Sequence, residues 1–419
     1  MNISNKSTEV FIYIQHESLI MSKMSGAGIL IACAVMLCVL ILCSGCTDTS
    51  GQGDGPPIIT QIPGPSINEI EQNAIERAKY PIVDALGRTV FIPNEIDSVI
   101  CSGAGCLRYL VYLNATNKVV GIDMFEQKTH PTAAVPYLLA QPKLHSLPVF
   151  GDWYGADNPT AIKELDPQPN IIFKMVDGDM SPARIQMLQD LTGIPVIALK
   201  YGDLSTQKND MNYALRVMGS ILHRGDRAEE LIWFIDRTID VLHARVSLIS
   251  EDERKTAYVG GIYNKGPQGL FSTDPTYEPF LLAGVVNVHI PEQDGNWHFS
   301  RDALLAQELD AVFIDLSTLL LKENAVTEVL NENDAELFSA MNGKVYALLP
   351  YEWYEVDYAS ELANAFFIGK VLYPERFSDI NPVEMTEYMY TTFYGTPLLD
   401  KMGVWLERRT FQPIIKITK

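Results

Sequence analysis

The sequence lacks the residues that would mark a hydrolase. It contains no Gly-x-Ser-x-Gly elbow, no His-Glu-x-x-His helix and no carboxylate pair whose proximity the sequence alone establishes, so no enzymatic activity is expected. Histidine is scarce, at 7 residues, and His130, His145, His289 and His298 follow no metal-ligand spacing. No metal-ligating residues are therefore assigned. Of the 6 cysteines, Cys33, Cys38 and Cys43 fall in one apolar N-terminal run and Cys46 closes it, which leaves Cys101 and Cys106 for the rest of the chain. Two cysteines cannot build a disulfide scaffold. They are open to a local bridge, to two packed thiols or to thiolate ligation. Basic residues are also few. With 32 Lys and Arg against 52 Asp and Glu, the net charge of -20 disfavours nucleic acid and anionic headgroups as partners. A cationic or neutral ligand, or a basic protein surface, fits better, unless the charge is simply a soluble acidic exterior. No fixed short repeat is present.

What is present begins with residues 27–43 (AGILIACAVMLCVLILC), an uncharged apolar run after Lys23 and before Ser44-Gly45-Cys46. Its length suits a signal h-region or a short membrane span. The next positive charge is Arg77, so no stop-transfer charge follows, and export of the C-terminal part is expected. Ser44-Gly45-Cys46 resembles the lipobox of bacterial and archaeal lipoproteins, with Cys43 where leucine is usual. Residues 1–46 are thus expected as a signal peptide, its true start at Met21 or Met24, with Cys46 as the lipid attachment residue. Residues 47–66, rich in Gly, Pro, Ser and Thr, read as a flexible tether reaching roughly 25 Å. Ile67, Ile70, Ala74 and Ile75 then predict a short amphipathic helix.

From residue 82 onward, short apolar runs alternate with helical patterns, and at 47% hydrophobic the chain can bury one large core or two lobes. VDALGRTVFIP predicts a hairpin turning at Gly87. SVICSG, VVGID, NIIFKM and PVIALK predict strands, with a helix beginning just beyond Gly105 and another around ARIQMLQDL. The alternation argues for a parallel sheet flanked by helices. The longest helical tract follows, and its part from Asp226 to Leu248 would be about 34 Å long. The alternation then resumes: TAYVGG, FLLAG, VVNVHI, AVFIDL and KVYALL are strand or core candidates, with helices at 301–307, 323–331, 358–372 and 383–393. The fold class expected is α/β, with two Rossmann-like lobes at 67–225 and 250–400, a connecting helix at 226–249, and a solvated basic tail at 401–419.

Several segments carry a family resemblance. Asp84-Ala-Leu-Gly-Arg-Thr-Val resembles the first hairpin of the iron-chelate and cobalamin periplasmic binding proteins of ABC importers. SVICSGAGCLRYLVYLNATNKVVGID, the segment from Asn158-Pro159 through Leu165-Asp166-Pro167 to NIIF, PFLLAGVVNV, NGKVYALLP and VLYPERFSDINPVEMTEYMYTTFYG continue the likeness over roughly residues 82–396. The resemblance implies two α/β lobes bridged by a rigid helix, with ligand held in a groove between them and modest lobe motion. It implies an iron chelate, siderophore, haem-like ring or corrinoid as ligand, no intrinsic cofactor, and a monomer that delivers to a permease with its ATPase from the extracytoplasmic face of the membrane. It also implies one acidic docking residue per lobe. Asp302 matches in the second lobe. In the first, Thr160 stands where Glu is expected, and Glu164 one turn on is the substitute.

Ligands of α/β sheets meet loops at strand ends. The loop SGAGC at 102–106 follows a strand and opens a helix, so Ser102, Gly103 and Arg108 can seat an anionic group of the ligand, or the loop is a tight strand-to-helix turn. Aromatic residues cluster in predicted loops: Trp153, Tyr154, Trp297, Tyr351, Trp353 and Tyr354. Their faces suit a planar or aromatic chelate, the alternative being burial in the core. The resemblance places Tyr154 and Trp297 near the groove. Asp152, Asp157, Asp294 and Asp302 can add negative potential around a cationic complex. A surface sensory or scaffold protein of the same fold, a bare metal-ion binder and a surface enzyme are the alternative functions.

Overall fold

Asp84-Ala-Leu-Gly-Arg88 forms the turn between β1 (Lys79–Val83) and β2 (Thr89–Pro93), an antiparallel pair. Gly87 sits at φ 74°, where a side chain would be strained. Asp84 accepts from the amides of Leu86 and Arg88, both at 3.0 Å, and pairs with the Arg88 guanidinium at 2.7 Å. Arg88 in turn donates to the Val196 carbonyl at 2.6 Å, so the motif pins the hairpin to the first lobe. The computed structural model describes residues 79–127, 135–178, 180–262, 269–288, 300–319, 324–331 and 344–414. The expected signal, Cys46, tether and leading helix lie outside the described residues.

The first lobe is built on β3 (Val99–Ser102), α1 (Cys106–Tyr112), β4 (Val119–Asp123), α2 (Met124–Gln127), α3 (Pro136–Ala140), β5 (Val149–Asp152), β6 (Ala156–Asp157), α4 (Pro159–Lys163), β7 (Ile171–Met175), α5 (Pro182–Thr192) and β8 (Val196–Leu199). Its sheet runs β6-β5-β4-β3-β7-β8, parallel except for the β5–β6 pair. Strands β3, β7 and β8 are buried at every residue, as expected for a parallel sheet covered on both faces. Ile100, Phe150, Ile162, Ile172, Ile185 and Val196 belong to one core cluster of the lobe.

Helices α6 (Lys208–Ile221) and α7 (Gly225–Val246) follow. Leu231, Phe234, Ile235, Thr238, Leu242 and Val246 are buried at spacings of one helical face, which makes α7 the long amphipathic strut the sequence predicts. Its 22 residues span about 33 Å.

The second lobe contains β9 (Thr256–Gly260), α8 (Glu278–Leu282), β10 (Val286–Asn287), α9 (Arg301–Leu305), β11 (Ala311–Asp315), α10 (Ala325–Asn331), β12 (Val345–Leu348), α11 (Tyr358–Leu372), α12 (Pro382–Tyr394) and α13 (Leu399–Trp405). Its parallel sheet runs β10-β9-β11-β12. Two expectations change here. FLLAG, a strand or core candidate, is core, with Phe280 and Ala283 buried, but it forms the end of α8 and its turn and not a strand, because Pro279 opens a helix at its second position. The basic tail is not simply solvated: α13 forms, and Phe411 and Ile414 donate backbone hydrogen bonds to Ala347 and Val345 of β12 at 2.9 and 2.7 Å. The apolar side chains of Phe411 and Ile414, both buried, draw the chain back onto the sheet although Arg408 beside them stays exposed.

Candidate ligand site at the lobe junction

Three loops of the first lobe meet at the ends of β3, β5 and β7. Gly103 lies at φ 93°, and a Cβ there would stand 2.8 Å from the Met175 carbonyl. A Cβ on Gly155 would stand 2.4 Å from Lys174 Nζ and 3.1 Å from Gly103 Cα. This close approach serves a buried polar cluster. Lys174, at the end of β7, donates to Ser102 Oγ at 2.9 Å, to the Gly155 carbonyl at 2.6 Å and to Asp157 Oδ2 at 2.7 Å. Ser102 Oγ donates to the other oxygen of Asp157. All three ammonium protons are thus matched, which a buried lysine requires. Ser102 is fully buried, so it underlies the site and does not line it. The negative potential expected from Asp157 is neutralised by Lys174.

Arg108 is carried on α1, which starts after Gly105 in the left-handed region at φ 73°. A Cβ on Gly105 would meet the Tyr201 ring at 2.2 Å, so glycine alone lets the turn sit against that ring. The guanidinium crosses to the second lobe. It donates to the carbonyls of Trp353 and Val356 at 2.9 and 2.7 Å and to Tyr201 Oη at 2.7 Å, and it lies 3.6 Å from Asp357. Its face covers the Tyr137 ring, 5.1 Å from the centroid. The residue expected to seat an anion therefore fastens the two lobes, with 1% of its surface exposed.

The segment it fastens, residues 351–357, runs between β12 and α11. Tyr354 and Glu355 adopt φ 53° and 71°, conformations that ordinary side chains avoid. Asp357 caps α11 by accepting from the Ser360 amide at 2.8 Å. Tyr354 donates from its hydroxyl to Asp123 of β4 and stacks on Phe125, 3.9 Å between centroids and 18° between planes. Trp153 meets the same Phe125 edge-on at 5.4 Å, and Trp353 lies 6.3 Å from it. Trp153 and Trp353, both half-buried, thus come from opposite lobes onto one ring. Tyr351 is buried and meets Tyr277 edge-on at 5.4 Å. The backbone of Tyr154 lies in the short turn Trp153–Gly155, while its side chain and the whole of Trp297 and Asp294 lie outside the described residues.

Cys101 and Cys106 are free, buried thiols, and Cys106 Sγ donates weakly to the Phe173 carbonyl at 3.5 Å. Burial, together with the hydrogen bond to Cys106, pushes the Cys101 thiol well above its ordinary range. Among the described residues no three His, Cys, Asp or Glu side chains are arranged to hold a metal ion. Asp302, on α9, is 92% exposed, and Glu164, at the end of α4, is exposed as well.

The sequence did not single out Phe125, Lys174 or Asp123. Lys174 carried a signal, a lone charge within the apolar run NIIFKM. A charge in a strand buried on both faces has to find partners.

No family model matches the chain. It is similar to the molybdate-binding protein MolA of Haemophilus influenzae, 23% identical over 341 residues, covering 75% of this chain and 91% of the relative. A solved structure of MolA bound to molybdate matches with TM-score 0.56 at 19% identity, covering 76% of this chain and 98% of that one. An ABC transporter solute binding protein from Sulfurospirillum deleyianum matches with TM-score 0.58 at 19% identity, over 78% and 99% of the two chains. A periplasmic solute binding protein from Veillonella parvula matches with TM-score 0.59 at 18% identity, over 78% and 95%. Among the described residues no helix is long and apolar enough to cross a membrane. The chain has the two-lobed α/β fold of the periplasmic solute-binding proteins of ABC importers.

Proposed function

We propose that this chain is the extracytoplasmic solute-binding component of an ABC importer, held to the membrane through lipid on Cys46, and that it delivers a metal chelate to a permease and its ATPase. The observation that carries the ligand reading is the pair of half-buried indoles, Trp153 from one lobe and Trp353 from the other, meeting on Phe125. Aromatic faces of this size offer apolar contact at small entropic cost to a siderophore, haem-like ring or corrinoid. Tyr154 and Trp297 are the further aromatic residues proposed for the lining, while Tyr351, Ser102 and Arg108, all buried, support it from beneath. Asp302 and Glu164, both exposed, are the proposed docking residues for the permease.

The likeness to MolA favours a second reading, in which the ligand is an oxyanion such as molybdate. The two readings separate cleanly. Native mass spectrometry of protein purified from its own source, with absorbance spectra, is expected to show the mass of an organic chelate and its chromophore. A bound oxyanion or a free divalent ion alone would overturn the chelate. Trp353→Ala is expected to weaken binding of that chelate at least tenfold, since about 1.4 kcal/mol of lost aromatic contact is enough.

A further inference from the structure

Five carboxylates of the second lobe gather beside the segment that carries Trp353. Asp315 ends β11, Glu278 opens α8, Glu361 lies in the first turn of α11, Glu352 directly precedes Trp353, and Asp274 lies in the loop before α8. The edge-on contact of Tyr277 with Tyr351 holds the loop of Asp274 against the segment of Glu352. Asp315 and Asp274 have local partners, Ser317 and Thr276, whose amides donate to them at 2.8 Å. Glu361 does not. It is fully buried, and neither of its oxygens has a hydrogen-bond partner, apart from the carboxyl of Glu278, which approaches it. Glu278, 9% exposed, likewise leaves Oε1 unpartnered.

A second, independent observation points the same way. Tyr277 is 1% exposed and its hydroxyl has no partner, although it stands among Asp274, Asp315, Glu352 and Glu361. A buried hydroxyl is ordinarily satisfied, and buried carboxylates are ordinarily paired with cations. Here the side chains acting most strongly on Glu278, Glu352 and Glu361 are carboxylates and the hydroxyl of Ser205, with no lysine or arginine among them. Asp203 of the preceding segment adds a further negative charge to Glu278 and Glu361.

We infer that Glu352, half-buried beside Glu278 and underlain by the buried Glu361 and the hydroxyl of Tyr277, forms a seat for a cationic group of the ligand on the second-lobe side of the junction. This rests on the solute-binding reading and narrows it: the solute carries a positive group, an ammonium or a metal complex that keeps its own ligands. A bare ion held by direct coordination is not the occupant, since the described carboxylates do not converge as metal ligands. A cation favours ionisation of these buried carboxyls and takes the place of their protons, which an oxyanion does not.

The test is calorimetric titration of the full chain with three probes: hexaamminecobalt(III), an exchange-inert cationic complex; manganese(II) chloride; and sodium molybdate. Wild type is expected to bind the cobalt complex at one site, and Glu352→Gln to weaken it at least tenfold. Tyr277→Phe is expected to weaken it about threefold, while Asp240→Asn, an exposed change on α7, leaves it unaltered and so excludes a general effect of net charge. Glu361→Gln is a stronger test if it folds, and the half-buried Glu352 keeps the inference falsifiable if it does not. The seat is overturned if Glu352→Gln binds the cobalt complex as wild type does, if manganese(II) competes more tightly than the complex, or if molybdate binds and the Gln variants strengthen it. The solute-binding reading fails separately. If source-purified protein carries no solute while the Gln variants still lose the cobalt complex, the seat stands and the importer role falls.

Discussion

At the scale of single residues, the guanidinium of Arg108 decides most about the junction. Its donors match carbonyls that lie 245 and 248 positions further along the chain. Removing the guanidinium leaves Asp357 and two carbonyls buried without their cation. Arg108→Met is therefore expected to cost about 3–5 kcal/mol, measured by urea unfolding. Arg108→Lys keeps the charge but lacks the planar fork that reaches two carbonyls and a tyrosine together, so it is expected to recover less than half of that loss. Recovery to wild-type stability would show that charge alone matters. Gly105→Ala places a methyl group within the Tyr201 ring contact and at a strained φ, for an expected loss of about 1–3 kcal/mol. The sequence shows why Gly105 precedes a helix, and its likeness to known hairpins makes Asp84 and Arg88 legible, because they pair with each other across one turn. It does not show that Arg108 faces another lobe. The opposite surface is brought to it by a fold whose two halves share no local code, so a reading from α1 alone assigns the charge to a ligand.

At the scale of elements, strands and long helices were legible from apolar runs and periodicity, whereas the loop at 351–357 was legible only as an aromatic cluster. Its path depends on left-handed residues at Tyr354 and Glu355, which nothing in YEWYE announces. Such strain persists only where neighbours hold it, here Arg108 and Asp123. The carboxylates around the loop make a pH prediction. Burial pushes Asp315 up to about 7, against the hydrogen bonds from Ser317. Burial, then the charges of Asp274, Asp315, Glu355 and Glu278, push Glu352 up to about 8. Both groups hold protons to higher pH folded than unfolded, so the folded state binds more protons across this range and stability falls as pH rises from about 4 to about 8. The stabilisation is complete below the unfolded carboxyl range and lost through the folded one. Glu352→Gln removes its share of this slope. Without ligand, its thermal midpoint is expected to match wild type at pH 5 and to exceed it at pH 8. Equal midpoints at both values would mean that Glu352 titrates as an exposed carboxyl.

At the scale of the whole described body, the lobes are joined by more than the strut α7. Tyr109 Oη and Tyr358 Oη meet at 2.9 Å across the junction, Tyr358 donates to the Gly202 carbonyl at 3.1 Å, and the Tyr201 and Tyr358 rings stack at 5.5 Å. With Arg108 and the bond from Tyr354 to Asp123, these form a buried polar seam in which nearly every group depends on a partner from the other lobe. Opening the lobes would strand those groups together, and each unmet buried hydrogen bond costs about 1–3 kcal/mol. On this account a hinge that closes on its solute is disfavoured, and the two lobes should unfold as one. In a background with Trp233, Trp297 and Trp405 changed to Phe, denaturation followed by tryptophan fluorescence, which then reports the Trp153 and Trp353 junction, and by far-ultraviolet dichroism, which reports all helices, is expected to give coincident transitions. The double variant Arg108→Met/Tyr354→Phe removes the guanidinium and the hydroxyl that bond across to the 351–357 segment, and leaves the Phe125 ring contacts and the bond from Tyr201 to the Val356 carbonyl. It is expected to separate the curves, with fluorescence changing at lower urea, because the indoles lose their common frame before the sheets lose theirs. If the curves stay coincident in the double variant, the seam at α7 and Tyr358 suffices to couple the lobes, and Arg108 acts only on the loop it touches.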